Sequence, residues 1–128
     1  MSIAAYVQRK QEEHRITQLS SELWNSKNKE ILTLFATLLK QNGYIQEELS
    51  PTIFLFKNEE VASEVAISFS VDLYLFAKIE VDSHLLGYIK IEKAPHNWTF
   101  TQCDRDMNLT GIASSDLSTI LNRIFKFA

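Results

Sequence analysis

Side chains capable of covalent or metal chemistry are few in this sequence, and they are scattered. A nucleophilic Cys103 would need a histidine base held in turn by a third group. His84 and His96 fall in expected turns at opposite ends of one strand, Asp104 adjoins Cys103, and no signature surrounds the cysteine. A buried structural thiol is the ordinary state of a free cysteine and is expected here. A single cysteine also rules out a cysteine-built zinc site, so His84, His96 and nearby carboxylates would be the only metal set, supported by nothing beyond their presence. Asp104-x-Asp106-x-Asn108 resembles the opening of a calcium loop, but Leu109 stands where that loop needs glycine and Ser115 where it needs a bidentate glutamate. An acidic turn leading into a helix is the expectation instead.

Metal-dependent nucleases often set an Asp on one strand beside Glu-x-Lys on the next, with carboxylates holding the ion and lysine orienting water. Asp72, Asp82, Glu80 and Glu92 surround the central strands, but the order is reversed: Lys78-Ile79-Glu80 and Lys90-Ile91-Glu92. Surface charge pairs are the expectation for these. Gly43, Gly87 and Gly111 are too far apart to cradle a phosphate. No catalytic residue, metal ligand or cofactor is therefore assigned, and activity as an enzyme is not expected.

These residues are carried by an organising stretch from Thr52 to Lys93. Every odd position from Val65 to Val81 is apolar, while the even positions are mixed, the period-two signature of strands that bury one face. Seventeen residues exceed an ordinary strand, so a bend or turn is expected near Ser70-Val71-Asp72. Asp82-Ser83-His84 reads as a three-residue hairpin loop that would pair Val81 with Leu85, Ile79 with Gly87, Ala77 with Ile89 and Leu75 with Ile91, keeping the odd face together. Gly87 opposite Ile79 marks a bulge or a close approach. Thr52–Lys57 and Trp98–Cys103 are further strands, with Pro51 opening the first, Ile45–Ser50 as a connector before it, and Asp104–Gly111 as a loop.

In that register the even face sets Tyr88 opposite Lys78, Phe76 opposite Lys90 and Tyr74 opposite Glu92. Aromatics interleaved with lysines can stack bases and neutralise phosphates. Against nucleic acid stand the matching Glu80 and Glu92, the net charge of −3 and the absence of an RNA-binding signature. Cross-strand pairs that only stabilise the sheet are the plain alternative. A protein-binding surface using Tyr74, Phe76, Lys78, Tyr88 and Lys90 is the functional one.

The flanks are helical. Ile3–Trp24 lacks Gly and Pro; it carries an apolar knob at Ile3–Val7, a polar middle and an Ile16/Leu19/Leu23 stripe. Asn25–Lys29 reads as a break before a second helix with Ile31, Leu34, Phe35, Leu38 and Leu39 on one side. Asn42-Gly43 closes that helix, with Tyr44 placed to touch Leu39. A last helix, capped at Ser114 or Ser115, carries Leu117, Ile120, Leu121, Ile124 and Phe125. The knob, with Tyr6 at its centre, has no intrachain destination, so it is a second candidate for docking onto a partner or another protomer.

Size and composition set the frame. With 128 residues, 45% hydrophobic and 23% charged, the chain is one globular domain able to bury a core. No window approaches the length of a membrane span, and the five-residue knob is short for a secretory leader. One cysteine predicts a reducing, cytoplasmic setting. The expected fold is α+β, a two-layer sandwich in the order α-α-β-β-β-β(-β)-α, with an antiparallel meander sheet covered by N- and C-terminal helices. The expected function is a non-catalytic interaction module (adaptor, chaperone, inhibitor or immunity-type protein) acting through a sheet face or the N-terminal helix on a protein partner or as a homodimer. A small-molecule pocket between sheet and helices, and a metal-dependent hydrolase or nuclease, are the alternatives.

Overall fold

The structure is a computed structural model and describes residues 2–128. It opens with one helix, α1 (Ile3–Lys40), of 38 residues. The Ser2 side chain caps it by accepting from the Ala5 amide at 3.1 Å. The break expected at Asn25–Lys29 does not occur, and the two expected N-terminal helices are one. The polar side chains there bond back into the helix: Ser26 Oγ donates to the Glu22 carbonyl at 2.7 Å, Asn28 Nδ2 to the Asn25 carbonyl, and Lys27 sits 3.8 Å from Glu30. With no Gly or Pro to stop propagation, such residues are tolerated in a helix interior.

The end of α1 follows expectation. Gly43 turns left-handed at φ +88, its amide donating to the Lys40 carbonyl and the Tyr44 amide to the Leu39 carbonyl, both at 3.1 Å. This is the paired bonding of a Schellman cap.

Seven strands follow: β1 (Ile45–Ser50), β2 (Ile53–Asn58), β3 (Ser63–Asp72), β4 (Tyr74–Val81), β5 (His84–Lys93), β6 (Trp98–Cys103) and β7 (Leu109–Ser114). They form a single sheet in chain order, each strand antiparallel to the next. Helix α2 (Leu117–Phe125) closes the chain, with Asp116 rather than Ser114 or Ser115 as its N-cap. The α+β class and the meander stand, but two strands exceed expectation. The expected connector at Ile45–Ser50 is β1, whose exposed Glu47 and Glu48 give no apolar alternation, and Pro51 lies in the turn after it. The latter part of the expected loop is β7, kinked by Gly111 at φ +83 and irregularly paired with β6.

The β3–β4 hairpin turns on Leu73, at φ +61, beside the expected Ser70-Val71-Asp72. The β4–β5 loop is shorter than expected. Asp82 and Ser83 alone form it, both left-handed (φ +50 and +68), and Val81 pairs with His84, not Leu85. Left unchecked, a two-residue loop would send the odd side chains of β5 to the wrong face. A bulge between Glu80/Leu85 and Ile79/Gly87 takes up one extra residue, so Ala77↔Ile89 and Leu75↔Ile91 pair as expected.

That correction preserves the buried wall. Val65, Ile67, Leu75, Ala77, Ile79, Ile89 and Ile91 lie in one core with Phe54, Phe56 and Phe100. Ile31, Phe35 and Leu39 of α1 and Leu117, Ile120, Leu121 and Ile124 of α2 cover it. Trp24 stacks on Phe69 at 4.6 Å, while Phe35 and Phe54 meet the same ring edge-on at 5.5 and 6.0 Å. This aromatic cluster is where α1 grips the sheet, and no helix among the described residues is long and apolar enough to cross a membrane.

Candidate interaction surfaces

The sheet's second face carries the even residues of β3–β5 and the odd residues of β2 and β6, away from the core that α1 and α2 cover. Five of the six residues singled out in the sequence belong to it: Tyr74, Phe76, Lys78, Tyr88 and Lys90. Lys78 pairs with Tyr88, and Phe76 with Lys90, in the expected register, although paired residues stop at Leu75↔Ile91, short of Tyr74 and Glu92. The Lys90 ammonium lies 4.4 Å from the centre of the Tyr74 ring and 3.2 Å from Glu92. Lys78 lies 3.4 Å from Glu80, and Tyr88 meets Phe76 edge-on at 6.5 Å. Each lysine is thus neutralised by the carboxylate two residues on, which leaves no row of unpaired cations for a phosphate backbone. Phe76, the intended anchor, is only 7% exposed, and Leu55 beside Ala66 is also buried. This face is largely occupied with itself.

Cys103 opens onto the same face opposite Tyr88 and is 1% exposed. Burial pushes its thiol pKa up, opposed by a hydrogen bond from the Lys90 backbone and that residue's charge. Its Sγ donates to the Thr101 carbonyl at 3.7 Å. A shielded, protonated thiol is a poor nucleophile. His96 cannot serve it, because β6 runs straight from Trp98, opposite Lys93, to Cys103, opposite Tyr88. That places the turn holding His96 at the other end of the strand.

The Asp104 loop is likewise spent on its own backbone. Asp104 Oδ1 accepts from the Asp106 and Asn108 amides, both at 2.9 Å, and the loop closes into β7 rather than leading into a helix. Asp72 and Asp82 sit at opposite ends of β4, and Glu80 and Glu92 hold the lysines just described. Among the described residues, no three His, Cys, Asp or Glu side chains gather where they could hold a metal. No buried side-chain nitrogen or oxygen among them lacks a hydrogen-bond partner.

The sixth residue, Tyr6, belongs to a different surface. Residues 2–12 are exposed without exception. At a rise of 1.5 Å per residue, Ile3–Glu12 projects roughly 15 Å past the body as an arm. Ile3 is 85% exposed and Tyr6 47%, and Val7 is exposed beside them. These are i, i+3 and i+4 positions, the spacing with which a helix offers anchors to a groove. The Tyr6 ring lies 5.3 Å from the Arg9 guanidinium and 5.7 Å from the Lys10 ammonium. Pairs between Arg9 and Glu13, Lys10 and Glu13, and Arg15 and Glu12 hold the arm helical. The Arg15 contact keeps the Glu12 carboxyl below its usual range.

At the base of the arm lies an open groove of about 630 Å³. Ile16, Leu19 and Leu23 form one wall, Tyr74 and Ile91 the other, and Glu12, Glu22 and Glu92 stand at its rim with Arg15 and Lys93. Leu19 is 52% exposed. A second cleft of about 450 Å³ separates the end of α1 from α2, between Leu38, Tyr44, Leu121 and Phe125. The sequence shows both the knob and the Ile16/Leu19/Leu23 stripe. It gives no sign that β4 and β5 supply the facing wall, because that depends on where α1 crosses the sheet. A scan of the chain against protein-family models, a search of the curated proteins and a search of the solved structures each found no match.

Proposed function

We propose that this protein is a non-catalytic protein-interaction module whose binding element is the projecting N-terminal segment of α1, Ile3–Glu12. One observation carries the reading: a capped and ion-paired helical segment presents Ile3, Tyr6 and Val7 exposed on its surface. Because the arm continues a helix already anchored through Trp24 and Phe35, docking it orders little new backbone, and most of the contact free energy is kept. The sheet face supports the reading less, since Phe76 is buried among its neighbours and both lysines are ion-paired. A single buried cysteine is in keeping with a reducing, cytoplasmic setting.

The test is capture from native-cell lysate using the full chain, an Ile3→Asp/Val7→Asp variant and a Phe76→Ala variant as baits. Unchanged circular dichroism and melting temperature for the arm variant establish that its fold is intact. A partner held by wild type and by Phe76→Ala but lost with the arm variant is the expected result. Equal recovery by wild type and the arm variant overturns the assignment to the arm.

A further inference from the structure

We infer that the arm's partner is a second copy of this chain, whose groove at the base of α1 receives it. The inference rests on the reading of the arm as the binding element. Arm and groove wall are parts of one continuous helix, so the arm cannot fold back into its own groove; only another molecule's arm can enter it. The chemistry of the two surfaces matches. The arm offers exposed Ile3, Tyr6 and Val7, and the groove is lined by exposed Leu19, half-buried Ile16, Leu23 and Tyr74, and buried Ile91.

Charge points the same way. The arm, Ile3–Glu12, holds Arg9, Lys10 and Glu12 for a net +1, while the whole chain carries −3, so the rest of the chain carries −4. Glu12, Glu22 and Glu92 stand on the groove rim with Arg15 and Lys93; Glu12 pairs with Arg15 and Glu92 with Lys90, while Glu22 makes no ion pair among the described residues. An arm of net positive charge is therefore drawn to an acidic body, and Arg9 or Lys10 beside the Tyr6 anchor, set against Glu22 on the rim, fixes how the arm enters. Reciprocal exchange uses the same patch on both copies and closes a two-fold dimer, the commonest form of homo-oligomer.

Sedimentation equilibrium on the full chain tests this. Wild type is expected to be a dimer that weakens as salt is raised. Ile3→Asp/Val7→Asp, with a defective arm, and Leu19→Asp, with a defective groove, should each weaken self-association by roughly tenfold or more, the scale of losing one good anchor. All three changes are at exposed sites, and unchanged melting curves show that the folds survive. The decisive step is mixing. An arm-defective copy still has an intact groove, and a groove-defective copy still has an intact arm, so the mixture should regain one of the two arm–groove contacts and form a one-to-one dimer tighter than either variant forms alone. A wild-type monomer at all concentrations, a dimer indifferent to either variant, or a mixture that stays monomeric overturns the inference. A monomer that still captures another protein through its arm would end this inference and leave the arm's binding role standing.

Discussion

Replacing Gly87 with alanine tests the packing of the central strands directly. Gly87 is buried in β5 opposite Ile79, at the bulge that restores register. A Cβ built there would lie 2.7 Å from the Cys103 carbonyl oxygen on β6. Real Cβ atoms do not approach so closely, and the obstacle is strand backbone, not the end of a flexible side chain. Strands β5 and β6 must separate at a point where their ladder runs from Tyr88↔Cys103 to Lys93↔Trp98. Overpacking of this kind costs about 1–3 kcal/mol. The lower entropy of the unfolded alanine chain returns about 0.4–1 kcal/mol. A net loss of about 1–2 kcal/mol is left, or roughly 3–10 °C in melting temperature for a domain of this size. Urea unfolding should show a lower midpoint at unchanged slope, since the surface exposed on unfolding is the same. Gly111→Ala is the control: nothing lies within 4 Å of its added Cβ, so only its φ of +83 is strained, at about 1 kcal/mol. If Gly87→Ala melts at or above wild type, the approach of β6 to β5 is not as tight as described.

Two other outcomes follow from the turns and caps. Ser83 is exposed at φ +68 in the β4–β5 loop, so Ser83→Gly should stabilise the domain by about 0.5–1 kcal/mol, read as a higher urea midpoint; an unchanged or lower midpoint refutes the strain at that residue. The Asp116 carboxyl is held below its usual pKa by the Ser118 hydroxyl, the Ser118 amide and the Thr119 hydroxyl. A depressed carboxylate stabilises the fold above its unfolded pKa and loses that contribution as pH falls through the folded one. Asp116→Asn keeps a capping oxygen but does not titrate, so the melting-temperature advantage of wild type over this variant should shrink below about pH 4, and a gap that is flat with pH would contradict the assignment.

The buried wall was legible in the sequence because its signal is local and periodic. Alternation from Val65 to Val81 marks which side chains share a face whatever the exact turn, and Asn42-Gly43 marks a helix end through the one conformation that glycine favours there. The Asn25–Lys29 break misled because Ser and Asn suit both a cap and, when they bond to the preceding turn, a helix interior; the choice between them is made by continuity with Trp24 and Ile31 on the sheet. Strands β1 and β7 were hidden for the opposite reason. Edge strands bury little, so Gln46-Glu47-Glu48 and Thr110-Gly111 carry no alternation, and pairing with a neighbour already in place makes them strands. The β4–β5 loop is one residue shorter than the alternation implies and a bulge takes up the difference, so the demand to keep odd side chains on one face outranks the local turn.

The same hierarchy separates the two candidate surfaces. An open sheet face satisfies itself readily, because neighbours on adjacent strands are always within reach: Lys78 finds Glu80, Lys90 finds both Glu92 and the Tyr74 ring, and Tyr88 finds Phe76. A helix projecting past its support has no such neighbours. Its charges can pair along the helix, as Arg9, Lys10 and Arg15 do, but Ile3 and Val7 remain exposed. The aromatic and lysine pattern on the sheet is thus the more self-satisfied surface, while the short apolar knob before a charged run stays exposed. Removing its apolar side chains should accordingly cost the isolated fold almost nothing and the assembly a great deal, a separation no core substitution in this molecule can produce.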